Sequence, residues 1–332
     1  MNTKEAQVMC TALYFATKDH YFGRNLDLDF SYNETVTITP RNFVLKMRCQ
    51  DDLVNHYAII GMATVMNDCP LYYDGTNEKG LSVAGLNFEG NAHYFDVTEG
   101  KDNVTSFEFL PYILGTCATV AEAKEKLKNM NIVNIAFSKE MQPATLHWMI
   151  SDKDESIVVE SMEDGLHVYH NPVGVMTNNP PFNYMLFALN DYVSLSPSQP
   201  KNTFGTDLNL YSRGMGGLGL PGDLSSKSRF IKCTYTKLQS MCGESEVESV
   251  NQFFKILGSV EQQKGLCEVK PGAYEYTIYS SCCNTDTGIY YYTTHNNSRV
   301  HGIDMHDYDL DSDSIKSYPL VKDEPFAIDS RK

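Results

Sequence analysis

The chain has 332 residues, of which 42% are hydrophobic and 11% aromatic, enough to form a substantial core and to exclude a disordered chain. It carries 27 Lys and Arg against 42 Asp and Glu, a net charge of −15. This acidic balance argues against nucleic acid or an anionic membrane as a partner, because both require a basic surface. No apolar run approaches the ~18 residues of a membrane span, and the N-terminus lacks the apolar segment of a secretory signal.

The nine cysteines, an odd number, include no Cys-x-x-Cys pair. Zinc ribbons and thioredoxin-type sites need that spacing, so we expect no metal and no other cofactor. A chain of this length does not need disulfides for stability, and unpatterned thiols fit a reducing compartment. We therefore predict a cytoplasmic protein.

The predicted elements form blocks of strands and blocks of helices. Turn residues, Asp74-Gly75 among them, separate β-branched and aromatic runs that predict strands over Val8–Ala16, Tyr21–Asp27, Thr35–Thr39, Phe43–Met47, Tyr57–Val65 and Leu81–Leu86. Next come helices at Ser106–Leu114 and Val120–Asn129 and strands at Ala144–Ile150, Ser156–Glu160 and Leu166–Tyr169. The remaining elements are helices at Pro181–Tyr192, Ser226–Ser240 and Ser245–Gly258 and strands at Tyr274–Ser280 and Gly288–Thr294. Such blocks, without regular βαβ alternation, predict one domain of the α+β class with antiparallel sheets.

Three motifs imitate binding sites but lack the surroundings that those sites need. Residues 214–219 match G-x-G-x-x-G, yet Leu-Pro-Gly follows where a dinucleotide site requires a helix. A glycine-rich loop of special backbone conformation is expected instead. The acidic run 307–313 lacks the glycine and glutamate of a calcium loop, and we interpret it as a solvated strand or turn. His167 and His170 have no carboxylate in register, so we expect surface histidines.

The most informative residue is Cys10, which directly follows Met9. Removal of Met9 leaves a cysteine whose own α-amine, with an intrinsic pKa of ~7.7–8.0, can take the thiol proton. If the chain turns back through 21–27, a hairpin brings Arg24 and Asp27 near Cys10, where an arginine next to the sulfur favours thiolate and a carboxylate can hold the α-ammonium. The alternatives are a packing role for Cys10 and a structural ion pair between Arg24 and Asp27.

These residues resemble the opening of the choloylglycine hydrolase family, which includes bile salt hydrolases and penicillin V acylases. The resemblance implies an N-terminal nucleophile hydrolase with a four-layer αββα sandwich, in which two antiparallel sheets lie between helix layers. Matching motifs follow the family's order at residues 9–11, 21–27, 37–42, 84–88, 146–152, 176–180, 218–223 and 229–230. The catalytic roles that the resemblance implies are those of nucleophile for Cys10, flanking groups for Arg24 and Asp27, oxyanion stabilisers for Asn87 and Asn178, and a final polar group for Arg229.

The resemblance also implies a substrate. Asn87 stands where bile salt hydrolases tend to carry Asn and penicillin V acylases Tyr, so we expect hydrolysis of glycine- or taurine-conjugated bile acids through a thioester. Ser212, Arg213 and Gly214 fall in the family's selectivity loop, where this type is associated with taurine conjugates; a solvent-facing Arg213 is the alternative. Other readings are a penicillin V or N-acyl-homoserine-lactone acylase, acyl transfer to an amino acid, and a bile-acid-binding protein with an unprocessed leader.

The start of the chain departs from the family pattern, which begins at a methionine followed by cysteine. We expect residues 1–9 to be a leader or a mis-assigned start that is removed, and residues 10–332 to form a single catalytic domain. The resemblance further implies a homotetramer.

Overall fold

The computed structural model describes residues 9–328, so residues 1–8 of the predicted leader 1–9 lie outside the described residues. The strands are β1 (Met9–Ala16), β2 (His20–Leu28), β3 (Thr35–Thr39), β4 (Ile59–Met66), β5 (Cys69–Asn77), β6 (Ser82–Asn87), β7 (Asp102–Thr105), β8 (Met130–Val133), β9 (Leu146–Ser151), β10 (Ser156–Met162), β11 (Gly165–His170), β12 (Val175–Met176), β13 (Cys267–Lys270), β14 (Ala273–Asn284), β15 (Ile289–Thr294), β16 (Asn297–Asp304) and β17 (Lys316–Pro319). The α-helices are α1 (Phe109–Thr116), α2 (Val120–Leu127), α3 (Phe182–Ala188), α4 (Ser226–Gln239) and α5 (Glu246–Gly258), and short 3-10 helices cover Leu189–Tyr192, Met215–Gly217 and Met305–Asp307.

Two antiparallel sheets form the centre of the protein. The first sheet has the order β12-β1-β2-β14-β15-β16, with β13 paired to β14. The second sheet has the order β11-β10-β9-β6-β5-β4-β3-β17. A separate parallel pair joins β7 and β8. The first sheet joins the N-terminal strands to strands from the last third of the chain, because β2 pairs with both β1 and β14.

The sheets pack face to face, and each carries helices on its outer side. Helix α1 contacts β4, β5 and β6 of the second sheet, whereas α4 and α5 contact β1 of the first. Side chains alternate accordingly along β10: Val158 joins the core between the sheets, and Ile157 and Val159 join the core under α1 and α2. The α+β class and the αββα layering are confirmed. No helix within residues 9–328 combines the length and the apolar character needed to cross a membrane.

The predicted capping box is present at the start of α5. The Ser245 hydroxyl accepts a hydrogen bond from the Glu248 amide at 3.3 Å, and the Ser245 amide donates to the Glu248 carboxylate at 3.4 Å. These two bonds satisfy donors that a helix N-terminus leaves unpaired. The local pattern therefore located this helix boundary correctly.

Two sequence predictions in the first third of the chain are wrong. Phe43–Met47 has no regular secondary structure apart from a single bridge between Leu45 and Leu53, and it is not a strand. Asp74-Gly75 lies inside β5 and is not a turn; the turn comes earlier, at Asn67 and Asp68, which have φ of 51° and 58°. Glycine in β4 lets the backbones of β4 and β5 approach closely, since a Cβ on Gly61 would lie 2.1 Å from the Asp74 carbonyl oxygen.

Candidate active site

The β1–β2 hairpin places Arg24 against Cys10. Cys10 pairs with Leu26 and Ala12 pairs with Arg24, so the cysteine and the arginine lie on the same face of adjacent strands. Arg24 Nη2 donates a hydrogen bond to Cys10 Sγ. Each of the two residues is only 1% exposed, so the thiol and the guanidinium meet away from bulk water.

Burial and the positive charge of Arg24 act in opposite directions on the pKa of the Cys10 thiol. Burial raises its pKa, the Arg24 guanidinium opposes the rise, and the carboxylates of Asp27 and Glu275 add to it. Burial by itself would lower the pKa of Arg24, but Cys10 and the surrounding acidic and phenolic groups raise it above its ordinary value. The arginine therefore stays charged, and it is the group that favours the thiolate form of Cys10.

The rest of the Arg24 side chain is held by the second sheet. Its Nη1 donates to the carbonyl oxygens of Tyr73 at 3.0 Å and Gly85 at 2.5 Å. The Ser281 hydroxyl accepts from the Arg24 amide at 3.1 Å and connects it to the buried carboxylate of Asp74. That carboxylate accepts three hydrogen bonds, from Ser281 at 3.1 Å, Tyr279 at 2.9 Å and Tyr290 at 2.7 Å.

A second cluster holds the backbone of Cys10. Asn178, just after β12, accepts a hydrogen bond through Oδ1 from the Cys10 amide at 2.8 Å. The same oxygen accepts from Arg229 Nη2 at 2.8 Å. Arg229, on α4, also donates through Nη1 to the Cys10 carbonyl at 2.5 Å and to the Thr11 hydroxyl at 2.7 Å. Helix α4 thus fixes both Cys10 and Asn178 through one buried guanidinium.

Asn87, the last residue of β6, lies beside Asn178. Asn178 Nδ2 donates to the Asn87 carbonyl at 2.8 Å. The Asn87 side-chain oxygen accepts from the Thr145 hydroxyl at 3.1 Å. Because the oxygen is engaged by Thr145, the Asn87 carboxamide presents its nitrogen on the other side as a hydrogen-bond donor.

Asp27 lies at the end of β2 on the face opposite to Arg24, as strand alternation requires. Its carboxylate accepts hydrogen bonds from the Thr277 hydroxyl at 2.5 Å and from Gln262 Nε2 at 3.2 Å. Burial raises the pKa of Asp27 to about 6, and Arg229 opposes this rise. Asp27 is thus a carboxylate close to the backbone of residues 9 and 10, and it is not an ion-pair partner of Arg24.

Sequence reasoning missed Glu275. This residue of β14 is 1% exposed, and its carboxylate accepts hydrogen bonds from the Met9 amide and, at 3.7 Å, from the Cys267 thiol. Burial raises the pKa of Glu275 to about 8. The only signal in the sequence is a charged residue in an otherwise aromatic and β-branched strand, which did not reveal its partner.

The structure places Ser212, Arg213 and Gly214 apart from this cluster, on an exposed loop. The loop is held locally: Gln199 donates from Nε2 to the Ser212 carbonyl at 2.7 Å and accepts from the Met215 amide at 3.2 Å. Gly214 has a φ of 79°, the left-handed region that favours glycine, and a 3-10 turn follows. The predicted special backbone of this glycine-rich loop is present.

Within residues 9–328, no three His, Cys, Asp or Glu side chains are arranged to hold a metal ion. The groups gathered around Cys10 are instead a thiol, two guanidiniums, two carboxamides and carboxylates. Such a set can activate a sulfur nucleophile and donate hydrogen bonds to an oxygen on which negative charge develops.

Comparison of the whole chain with known proteins finds one matching family. The model of the family described as linear amide C–N hydrolases, choloylglycine hydrolase family, matches residues 10–318. The bile salt hydrolase/transferase of Lactiplantibacillus plantarum is 54% identical over 314 residues, covering 94% of this chain and 97% of that protein. The bile salt hydrolase/transferase of Clostridium perfringens is 40% identical, covering 95% and 98%.

Solved structures give the same result for the fold. A variant of the conjugated bile acid hydrolase from Clostridium perfringens superposes with a TM-score of 0.90 at 37% identity, covering 96% of this chain and 99% of that one. The penicillin V acylase from Agrobacterium tumefaciens has a TM-score of 0.71 at 22% identity, covering 93% and 90%, and shares the fold.

The contact between Arg24 and Cys10 gives a testable expectation for thiol reactivity. In Arg24→Gln the opposing positive charge is lost, so the pKa of the Cys10 thiol rises further and less thiolate is present at neutral pH. Alkylation of Cys10 by iodoacetamide, followed by mass spectrometry of its peptide, should slow at least about tenfold at pH 7, and its pH midpoint should move upward. Arg24→Lys keeps the charge and should move it less. Identical pH profiles for folded Arg24→Gln and the unaltered protein would contradict this account.

Proposed function

This chain belongs to the choloylglycine hydrolase family of linear amide C–N hydrolases, and we propose that it hydrolyses the amide bond of glycine- or taurine-conjugated bile acids. The names of its relatives at 54% and 40% identity support that substrate class. The observation that carries the proposal is the buried Cys10 thiol, which accepts a hydrogen bond from the Arg24 guanidinium. Asn178 and Arg229 hold the backbone of the same residue.

In the proposed reaction Cys10 is the nucleophile. Its sulfur attacks the amide carbonyl carbon, the S–C bond forms, the C–N bond breaks, and the amine leaves with a proton. Water then adds to the thioester, which releases the bile acid and restores the thiol. The α-amine of Cys10 accepts the thiol proton and passes it to the leaving amine. Arg24 supports the first step because it favours the thiolate.

The two asparagines are the proposed oxyanion stabilisers. Asn87 has its side-chain oxygen engaged by Thr145, which supports its nitrogen as a donor to the tetrahedral intermediate. Arg229 holds Asn178 from the other side. Donors fixed before the reaction need no reorganisation when charge develops, and loss of one such donor typically costs about 3–4 kcal/mol.

The active protein is proposed to begin at Cys10, with residues 10–332 as one catalytic domain. An α-amine at Cys10 exists only after Met9 is removed. The contact between the Cys10 nitrogen and Asn178 Oδ1, 2.8 Å long, suits an amine as well as an amide, because both donate. The match of the family model from residue 10 onward supports this start.

Other activities use the same cysteine chemistry. Cleavage of penicillin V or of an N-acyl-homoserine lactone would form a thioester with a different acyl group and release a different amine, and Asn87 rather than Tyr favours bile acids over penicillin V. Two relatives are named hydrolase/transferase, which supports acyl transfer from the thioester to an amino acid amine as a second outcome of the same reaction.

Exposed apolar side chains support assembly into the expected homotetramer. Between residues 184 and 218 several large apolar side chains face solvent, among them the aromatic residues Phe187 at 74%, Phe204 at 82% and Tyr211 at 81%. Exposed apolar surface is typical of an interface between chains. The cytoplasmic location rests on the unpatterned cysteines and stays a prediction.

Replacement of the nucleophile tests the proposed function. Cys10→Ser should lower the rate of taurocholate and glycocholate hydrolysis by at least about 100-fold, because a hydroxyl ionises far less readily than a thiol. Cys242→Ser, which makes the same change at a partly buried thiol that has no role in the proposed mechanism, is the control and should keep its activity. Penicillin V is assayed beside the bile conjugates.

Intact-mass analysis of the active protein accompanies those assays and should show that the chain starts at Cys10. Faster cleavage of penicillin V than of either bile conjugate would overturn the substrate assignment. Full activity of Cys10→Ser, or of protein that still carries Met9, would overturn the mechanism.

The selectivity loop gives a separate expectation. If Arg213 contacts the sulfonate of taurine conjugates, Arg213→Ala should raise KM for taurocholate about tenfold and change KM for glycocholate much less. Lys201→Ala, at another exposed cation nearby in the chain, should alter neither. Equal changes for the two conjugates would show that Arg213 does not select taurine.

Light scattering coupled to size-exclusion chromatography tests the assembly. Four chains of 37.4 kDa should elute together, and Phe187→Ser combined with Phe204→Ser should lower the mass. The matched control is Met241→Ser, which removes an apolar side chain that is 92% exposed outside this segment. A single chain of 37.4 kDa at micromolar concentration would exclude the tetramer.

A further inference from the structure

A buried histidine and a buried glutamate lie behind the two asparagines of the site. His147 is in β9 and Glu160 is in the neighbouring strand β10, one position beyond the last paired residues of these strands. Their side chains are 1% and 0% exposed, and His147 Nδ1 lies 3.1 Å from Glu160 Oε1. The mechanism proposed above uses neither residue.

The partners of His147 define where its protons lie. Nδ1 faces the Glu160 carboxylate, and Nε2 lies 2.8 Å from the Thr177 carbonyl oxygen. A carbonyl oxygen can only accept, so Nε2 must carry a proton and donate it. Glu160 Oε1 also accepts from the Phe182 amide at 3.0 Å. The carboxylate therefore attracts the proton on Nδ1, and the imidazole is held with both nitrogens directed at acceptors.

His147 contacts the chain neighbour of each asparagine, Thr177 before Asn178 and Phe88 after Asn87. The Thr177 carbonyl that His147 binds belongs to the peptide group joined to Asn178. The imidazole also stacks on Phe88, the residue after Asn87, with ring centres 4.3 Å apart and planes 5° apart. The ring thus lies between the two chain segments that present Asn87 and Asn178.

Further contacts leave the Thr177 segment little other freedom. The Thr177 hydroxyl donates to the Ser226 carbonyl at 3.1 Å, at the start of the helix that carries Arg229. The position of the Asn178 carboxamide is therefore determined by α4 on one side and by His147 on the other. Displacement of a catalytic group by about 1 Å is enough to lower a rate about 100-fold.

We propose that His147 is a positioning residue for the oxyanion site: Glu160 orients the imidazole so that Nε2–H donates to the Thr177 carbonyl, which holds Asn178 in register with Asn87. This role rests on the proposed function of the two asparagines. It acts on the transition state and not on substrate binding, because His147 is buried and lies behind the residues that would meet the substrate.

Two substitutions separate the two hydrogen bonds. Asparagine at position 147 places its amide nitrogen near the site of Nδ1, so His147→Asn keeps a donor to Glu160 and loses the donor to Thr177. Glutamine places its nitrogen near the site of Nε2, so His147→Gln keeps the donor to Thr177 and removes one of the two donors to Glu160 Oε1, with the Phe182 amide remaining. Because the second variant takes a hydrogen bond from a buried carboxylate, it should be the less stable of the two.

His147→Asn should therefore lose more activity, whereas His147→Gln should lose more stability. We expect kcat for glycocholate to fall about 10-fold to 100-fold in His147→Asn, with KM nearly unchanged, and to fall much less in His147→Gln. Alkylation of Cys10 should match the unaltered protein in both variants, because the nucleophile is untouched. Activity that tracks the melting temperature, or His147→Asn with unchanged kcat, would overturn the proposal.

A measurement on the unaltered protein covers the case in which His147→Asn does not fold. In a ¹⁵N–¹H correlation spectrum, the Nε2 of His147 should carry a proton, and an unprotonated Nε2 would overturn the proposal. Cys10→Ser distinguishes the two levels of inference. If that variant stays active, the proposed function fails; if it is inactive while His147→Asn keeps its kcat, only the positioning role fails.

Discussion

The contact between Cys10 and Arg24 is the constraint on which the rest of the structure depends. A thiol buried between sheets is a weak nucleophile, since burial disfavours its ionised form, and a charge of opposite sign must be buried with it. Burying a guanidinium is costly unless its donors are satisfied. The Arg24 guanidinium meets that condition because it donates to carbonyl oxygens of the second sheet and to the Cys10 sulfur. The two sheets must therefore pack at this register for the site to exist.

The backbone of Cys10 is held by a different layer. Arg229 comes from α4, on the outer side of the first sheet, and reaches the Cys10 carbonyl and Asn178 at once. The thiol is thus controlled from between the sheets, whereas the adjacent peptide group is controlled from the helix layer. Arg24 and Asp27 follow the same division. Because they are three residues apart in one strand, alternation directs their side chains to opposite faces of the first sheet.

Local patterns predicted elements well where the deciding contacts are near in sequence. The hairpin through residues 20–28 and the capping box of α5 depend on neighbours a few residues away, and both are present. The prediction of a turn at Asp74-Gly75 was wrong because this dipeptide is compatible both with a turn and with a strand. Here Gly75 lies within a strand, next to a position where two backbones approach closely, and nothing within the dipeptide distinguishes the two situations.

The sequence by itself determined the family, the α+β class and the candidate nucleophile, because a cysteine after a methionine, an arginine in the returning strand and the ordered motifs are written locally. Only the tertiary structure decided how the predicted groups contact that nucleophile and which further residues support them. Glu275 meets the Met9 amide across a separation of 266 residues, and His147 meets Thr177 across 30. Such contacts follow from the order of strands in two sheets and from their packing. No short stretch of sequence encodes that order, because each strand is equally able to pair with several others.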